Sequence, residues 1–271
     1  MNRELVKKIF LPLVVLVFVL QVWSGIASIV NEFPTPSDTY VAAFGGVTSE
    51  GDELTGVLSD PFYENNQDDK GIFWQVLESL KRVFAGFVLA IIVGVPLGLF
   101  VGMSKNAQYA LNPFIQIFKP VSPLAWLPLL LFIFQDINMT AIATIFITSI
   151  WPIIINTALG VKSVSEDYMN VAKVLRFTPM EKVIQIILPV SVPFIFTGMR
   201  LSLGIAWLVI VAAEMLTGGI GIGFWIWDAY NNLNYYHIII GIIVVGLIGY
   251  LLDLMMGKIA DYFDYTKRGR A

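Results

Sequence analysis

Apolar segments that can cross a lipid bilayer constrain this chain more than any other feature. A transmembrane helix needs about 20 predominantly apolar residues. The chain has six apolar segments, and most of them reach about that length. They cover approximately Ile9–Val30, Phe84–Met103, Val121–Phe134, Thr140–Val161, Val190–Leu216 and Ile238–Gly257. Only 14% of the 271 residues are charged, against about 25% in a typical soluble domain. We therefore predict an all-α membrane protein with six transmembrane helices.

The apolar segments divide the chain into four regions. The first apolar run is too long for a signal peptide and ends without a small-residue cleavage site, so we expect it to remain as a transmembrane helix. An acidic external loop with an amphipathic lead-in follows, then a five-helix core with a large polar loop at 162–189, then a basic tail. In order, the four regions are 1–30, 31–83, 84–257 and 258–271.

Two local patterns predict how the spans pack. Gly94, Gly98 and Gly102 share one face of the second span, which indicates a close approach by another helix. The third apolar run is short, is preceded by Pro120 and contains Pro123 and Pro128. Broken helices at membrane depth are tolerated only where they are buried in protein or line a water-filled path, so we expect this run to do one of the two.

The distribution of basic residues predicts the orientation. Lys and Arg are enriched in cytoplasmic loops, and 13 of the 17 basic residues fall on one side of a six-span arrangement. We therefore expect both termini to be cytoplasmic and the acidic first loop to be external. The residues assigned to the cytoplasm are Arg3, Lys7, Lys8, Lys105, Lys119, Lys162, Lys173, Arg176, Lys182, Lys258, Lys267, Arg268 and Arg270.

The polar island Glu166–Pro193 carries helix start and stop signals. Tyr168–Phe177 is typical of a short amphipathic helix, and Thr178 with Glu181 three residues later forms the capping-box pattern of a second helix. We expect that second helix to end at Leu188, because Pro189 follows. Two helices that meet at a capped corner would form a protrusion for a cytoplasmic partner; a plain hairpin loop is the alternative.

This island resembles the EAA loop of binding-protein-dependent ABC importer permeases. The family pattern is roughly E-A-A, a G four residues after the second A, and an I-x-L-P close; here the two parts are Asn170–Arg176 and Ile186–Pro189. Asn170, Val171 and Arg176 stand where the pattern has Glu, Ala and Gly. The resemblance extends over nearly the whole chain, to the nitrate, sulfonate, taurine and bicarbonate branch. The other similar segments are Phe33–Pro36, Ser122–Pro128, Ser149–Thr157, Thr197–Arg200, Ala206–Glu214 and Gly221–Tyr230.

The resemblance implies a type I ABC importer permease fold and a division of labour. A periplasmic or lipoprotein binding protein would deliver the substrate, two cytoplasmic subunits would bind ATP and Mg, and this chain would pair with a second permease copy, most simply as a homodimer in the bacterial inner membrane. Similarity is closest to nitrate permeases, which implies nitrate or nitrite as cargo; bicarbonate, cyanate and sulfonates stay open. The implied ATPase-coupling residues are Asn170, Val171, Ala172, Lys173, Leu175, Arg176 and Thr178.

Polar residues within the spans are candidates for the substrate pathway. Arg200 lies well inside the fifth span, where a charge needs a partner, a cavity or the pathway itself; a structural ion pair or snorkelling to the surface is the alternative. Glu214 could be a gate or docking contact, or a solvated carboxylate. Ser122, Trp126 and Asn156 could donate hydrogen bonds to an anion, although helix–helix contact is the commoner role of such groups.

Several other classes of function are disfavoured. The chain has no G-x-x-x-x-G-K-[ST] phosphate loop, and we interpret the glycines of Gly218–Gly223 as backbone flexibility. With no cysteine and only His237, the sequence predicts no metal site, no cofactor in this chain and no enzyme. No basic stripe with interleaved aromatics suggests nucleic acid. A secondary transporter is the alternative from another class, although Glu214 and Asp253 are its only acidic candidates within spans.

Overall fold

A computed structural model describes residues 3–30, 32–49, 51–65 and 70–263 of the chain. The helices in these ranges are α1 Arg3–Ile29, α2 Pro36–Phe44, α3 Ile72–Met103, α4 Lys105–Phe118, α5 Pro123–Phe134, α6 Ile137–Lys162, α7 Glu166–Val174, α8 Pro179–Lys182, α9 Leu188–Thr217, α10 Ile222–Asn231 and α11 Tyr235–Phe263. Two short strands, β1 Gly46–Val47 and β2 Glu53–Leu54, pair antiparallel. Three of the basic residues assigned to the cytoplasm, Lys267, Arg268 and Arg270, lie outside the described ranges.

The described helices confirm the predicted fold class. Five helices in these ranges, or six spans with the bent pair α4–α5 counted as one, are long and apolar enough to cross a membrane. The chain divides into two compact units, one formed by Met1–Gln75 with Trp225–Val244 and the other by Val76–Phe224 with Val245–Ala271. The second unit contains the coupling island and most of the candidate residues.

The smaller unit contains more regular structure than its loop-like sequence indicates. Thr35 caps α2 by accepting a hydrogen bond from the Asp38 backbone, and the β1–β2 hairpin follows. The Asp38 carboxylate ties the two together, because it accepts hydrogen bonds from the Thr35 hydroxyl at 2.6 Å and from the Ser49 backbone at 2.8 Å. Burial alone would raise the pKa of Asp38, but these hydrogen bonds outweigh it and hold the pKa below its ordinary value.

Helix α3 packs closely on α6 through a row of glycines. A Cβ placed on Gly98 would lie 2.5 Å from the Thr157 Cβ, and one on Gly102 would lie 2.5 Å from the Val161 Cβ. Gly94 meets Ile153 in the same way. The small-residue face predicted for the second span is therefore a real helix contact.

Helices α6 and α9 pack against each other extensively. Ser149 and Ser202 bridge them, and the Ser202 hydroxyl donates to the Ser149 carbonyl at 2.6 Å. Gly160 allows Ser191 of α9 to approach, with only 3.0 Å from a hypothetical Cβ to the Ser191 Cα. Both helices can therefore pass through the centre of the larger unit as one packed layer.

The predicted end of the second island helix at Leu188 is wrong. A π-helical turn, Val183–Ile187, joins α8 directly to α9, and the Leu188 backbone donates to the Val183 carbonyl five residues back. Proline lacks an N–H and crowds the carbonyl of the preceding turn. The wider turn immediately before Pro189 accommodates both effects, so the helix continues from the island into the membrane span.

The chain bends by 96° between α4 and α5, at the start of the third apolar run. The rest of that run forms one helix, α5, with Pro128 inside it. After α9, the chain turns and continues into α10. Gly218 and Gly219 adopt positive φ angles of 80° and 84°, which glycine allows without strain.

Candidate coupling surface and membrane-embedded polar sites

The corner between α7 and α8 is built by two helix caps. At the end of α7 the Phe177 backbone donates to the Ala172 carbonyl and the Arg176 backbone donates to the Lys173 carbonyl, which is the Schellman pattern. This pattern needs a left-handed residue at Arg176, whose φ is 53°. The resemblance places Gly at this position in related loops, and the positive φ gives a physical reason for that preference.

The second cap confirms the capping box at the start of α8. The Glu181 backbone donates to the Thr178 hydroxyl at 3.3 Å, and the Thr178 backbone donates to the Glu181 carboxylate at 2.7 Å. Because both caps are satisfied within the corner itself, its shape does not depend on a partner.

The corner exposes an apolar tip with basic neighbours. Val171, Val174 and Leu175 are exposed, and Val174 is 82% exposed. Lys173 is also exposed and donates to the Asn170 side chain at 3.1 Å. Ala172 is the one coupling candidate that is buried. An exposed apolar patch rimmed by charges is typical of a protein-docking surface.

A buried polar cluster at the other end of α9 was not foreseen from the sequence. Glu214 is fully buried, and its carboxylate accepts hydrogen bonds from Arg82 at 2.7 Å, from Ser79 at 2.8 and 2.9 Å, and from the Gly223 backbone at 3.0 Å. Arg82 also donates to Asn138 at 2.8 Å and to the Ile220 carbonyl at 2.6 Å. The interpretation of Glu214 as a solvated carboxylate is therefore wrong.

This cluster also explains the glycines that follow α9. A Cβ on Gly221 would lie 2.3 Å from the Glu214 carboxyl carbon, and one on Gly223 would lie 2.1 Å from the Val211 carbonyl. The interpretation of these glycines as flexibility is wrong at both positions, because they allow the turn to fold closely onto the carboxylate. The Glu-x6-Gly-x-Gly spacing is the only sequence signal of the contact.

Arg200 is in an ion pair. Its guanidinium donates through Nε and Nη2 to the two Asp253 oxygens, each at 2.6 Å, and both side chains are about half-exposed. A pocket of about 430 Å³ adjoins the pair and is lined by Asp261 among others. The structural ion pair, one of the two roles considered for Arg200, is thus the observed arrangement.

Two of the other pathway candidates come together. Ser122 and Trp126 line a pocket of about 260 Å³ at the bend between α4 and α5, with Lys119 beside them. Lys119, which the sequence analysis assigned to the cytoplasmic side, lines the same pocket as Trp151, near the middle of α6. Asn156 is elsewhere, where its side chain donates to the Pro152 carbonyl of its own helix.

The described part of the chain offers no cluster that could hold a metal ion. No group of three His, Asp or Glu side chains is close enough to do so in these residues. In the smaller unit, the His237 ring stacks on the Trp225 indole with ring centres 5.1 Å apart.

Comparison with known proteins places these features in context. Residues 94–265 match the family described as "Binding-protein-dependent transport system inner membrane component". The chain is 43% identical over 265 residues to the nitrate import permease protein NrtB of Synechococcus elongatus, covering 96% of this chain and 92% of that protein. It is 48% identical over 198 residues to the bicarbonate transport system permease protein CmpB of Synechocystis sp., covering 73% and 71% of the two chains.

A solved structure supports the fold independently. The chain resembles an inward-facing form of the MetNI methionine ABC transporter with a TM-score of 0.62, at 15% identity, over 71% of this chain and 95% of that one. At this identity the likeness concerns the fold alone.

Proposed function

Because this chain belongs to the family of binding-protein-dependent transport system inner membrane components, we propose that it is the membrane-spanning permease subunit of an ATP-driven importer whose cargo is nitrate. The observation that carries the proposal is the 43% identity to a nitrate import permease over nearly the full length of both chains. The chain itself is a non-catalytic subunit; ATP and Mg are bound and hydrolysis occurs in partner subunits.

The coupling surface is the α7–α8 corner. Its exposed apolar tip, Val171, Val174 and Leu175, enters a groove of a cytoplasmic ATPase subunit, with Lys173 and Arg176 at the rim. Movement of the corner reaches the membrane through one continuous helical path, because α8 runs into α9 without a loop. Closure of the ATPase pair on ATP favours one arrangement of the spans over the other, which is a shift of population driven by differential nucleotide affinity.

The working assembly contains a second permease copy, in the simplest case a homodimer, two ATPase subunits and an external substrate-binding protein. One six-span chain supplies half of a path, and closed symmetry is the usual arrangement of such subunits. In this assembly the α7–α8 corner and both termini face the cytoplasm of a bacterial cell, and the acidic first loop within 31–83 lies outside. The basic residues of the corner support this orientation.

Bicarbonate is the second candidate cargo. A bicarbonate permease is 48% identical to this chain over 198 residues, which is close to the value for the nitrate relative. Both ions are small, planar and singly charged, so a site that accepts one needs few changes to accept the other.

Reconstitution tests the proposal. The permease, its ATPase subunits and its binding protein are placed in lipid vesicles, and ATP-dependent uptake of labelled nitrate is measured against competing bicarbonate, cyanate and taurine. We expect uptake of labelled nitrate to stop without ATP. Unlabelled nitrate should inhibit this uptake more strongly than bicarbonate, cyanate or taurine. Preferred uptake of bicarbonate would transfer the proposal to that ion, and ATP-independent uptake would exclude an ATP-driven importer.

Coupling is tested separately at the corner. Val174→Asp places a charge on the most exposed apolar residue of the tip, and we expect co-purification of the ATPase subunits to fall strongly. The matched control is Val47→Asp, the same substitution at an exposed valine of β1, outside the membrane spans. Equal ATPase retention by Val174→Asp and the wild type would place the docking surface elsewhere.

A further inference from the structure

Lys119 lies beside the middle of the membrane-spanning helix α6. The pocket that it lines also contains Ile147, Thr148, Trp151 and Pro152 of α6. At 1.5 Å per residue, Trp151 is about 17 Å from the Lys162 end of α6 and about 21 Å from the Ile137 end. The hydrocarbon core of a bilayer is about 30 Å thick. The base of the Lys119 side chain therefore lies beside the central turns of a helix that is long enough to cross this core.

The broken helix fixes this position. The chain turns through 96° between α4 and α5, and Phe118, just before the turn, stacks on Trp151 with ring planes 9° apart and contacts Trp126 at 6.0 Å. This aromatic cluster holds the bend against the middle of α6. Non-helical backbone at such a depth is found where it is buried in protein or lines a water-filled cavity.

The pocket has no acidic side chain in its lining, and five lining side chains can donate hydrogen bonds: Lys119, Ser122, Trp126, Thr148 and Trp151. Lys119, Ser122 and Trp126 all line it, and none of the three side chains has an ion-pair or hydrogen-bond partner among residues 3–30, 32–49, 51–65 and 70–263. The lining of the pocket contains no Asp or Glu. The pocket beside Arg200 is different, because Asp253 neutralises that arginine and Asp261 lines the wall.

A lysine that is exposed on the single chain at this depth cannot face lipid without a large cost, of about 2.5–3.5 kcal/mol even on insertion scales. It therefore faces an aqueous path or a second copy of the chain. We infer that Lys119, with the Ser122 hydroxyl and the Trp126 indole N–H, forms an intramembrane site for a small singly charged anion at the bend between α4 and α5. This inference rests on the proposed function and identifies Lys119 as the positively charged residue of the transport path.

The chemistry of the donor set fits such a cargo. One ammonium group gives a single positive charge, and two neutral donors add direction without further charge, so a monovalent anion can be bound and released again. The surrounding aromatic and aliphatic walls lower the local dielectric and strengthen the attraction. A divalent anion would find only one positive charge in this site, and a cation would be repelled by it.

The test uses the complete transporter in lipid vesicles, with ATP-driven uptake of nitrate and, in parallel, of bicarbonate. Lys119→Gln removes the charge, Lys119→Arg keeps it, and Lys105→Gln is the matched control on the same helix at its opposite end. We expect Lys119→Gln to lose about tenfold or more of uptake, since one charged hydrogen bond is worth about that factor. Lys119→Arg should retain most of it, and Lys105→Gln should equal the wild type.

Chemical modification separates a charge role from a structural one. The chain has no cysteine, so Lys119→Cys introduces a single thiol in this subunit. After assembly, reaction with an aminoethyl methanethiosulfonate restores a positive side chain, and reaction with a sulfonatoethyl methanethiosulfonate adds a negative one. We expect the first reagent to restore uptake and the second to abolish what remains.

Each outcome decides one question. Uptake by Lys119→Gln at the wild-type rate, or equal effects of the two reagents, would overturn the anion site. A wild-type complex that takes up bicarbonate instead of nitrate would overturn the proposed cargo but leave the Lys119 site to be judged on bicarbonate. Co-purification of the ATPase subunits with each variant confirms that the complex has assembled.

Discussion

The buried pair of Arg82 and Glu214 offers the most direct test of how the larger unit is held together. The pair is 2.7 Å apart, and the two side chains are 7% and 0% exposed. Glu214→Gln removes the negative charge and leaves the Arg82 guanidinium buried without its counterion. Removal of one partner from a buried ion pair costs about 3–5 kcal/mol.

A matched pair on the same helix provides the scale. Lys81 and Glu78 are adjacent to the cluster in sequence and are 2.6 Å apart, but they are 58% and 33% exposed. An exposed pair of this kind contributes about 0–1 kcal/mol. Lys81→Gln should therefore have almost no effect, whereas Glu214→Gln should destabilise the protein strongly.

Thermal unfolding of the purified permease in detergent, followed by tryptophan fluorescence, measures the difference. At about 2–4 °C per kcal/mol for a chain of this size, Glu214→Gln should lower Tm by about 6–20 °C. Arg82→Gln with Glu214→Gln should recover about half or more of that loss, because no unpaired charge remains. A Tm for Glu214→Gln equal to that of Lys81→Gln would refute the reasoning.

Three further predictions concern backbone and packing. Arg176→Gly should raise the stability of the α7–α8 corner by about 1 kcal/mol, because glycine removes the strain of a left-handed residue; a lower Tm would contradict this. Gly98→Ala should cost about 1–3 kcal/mol by overpacking against Thr157, whereas Gly204→Ala, with open space around its Cβ position, should be neutral or stabilising in the same melt. Asp38 has a lowered pKa in the folded protein, so its stabilising effect is present above the unfolded pKa of about 3.9 and is lost as the pH falls through the folded value. The Tm difference between the wild type and Asp38→Asn should therefore shrink on acidification. A Tm difference that stays constant with pH would contradict the assignment.

The sequence was sufficient for features that depend on local pattern. Hydropathy located the spans because a helix in lipid must be apolar along its whole length. The Thr178–Glu181 capping box could be recognised because both partners lie within one turn. The glycine face of α3 was recognisable for the same reason, since its four-residue spacing places Gly94, Gly98 and Gly102 on one side of the helix.

Features that depend on contacts between distant segments could not be recognised. Glu214 finds Arg82, which is 132 residues away, and no spacing rule connects them. Lys119 has the sequence of a short cytoplasmic loop, and only the bend between two half-helices places it beside the middle of α6. Pro189 was predicted to end a helix because sequence rules treat proline as a stop, and the π turn that absorbs it has no sequence signature.

The π turn between α8 and α9 fixes the rotation of the α7–α8 corner about the helix axis relative to α9. One residue advances an α-helix by about 100°, so a single insertion or deletion within Val183–Ile187 would rotate the cytoplasmic corner by more than a quarter turn against the face of α9 that meets α6. Side chains in this stretch can therefore change, but its length cannot, because the corner and the face of α9 that meets α6 must keep their relative orientation.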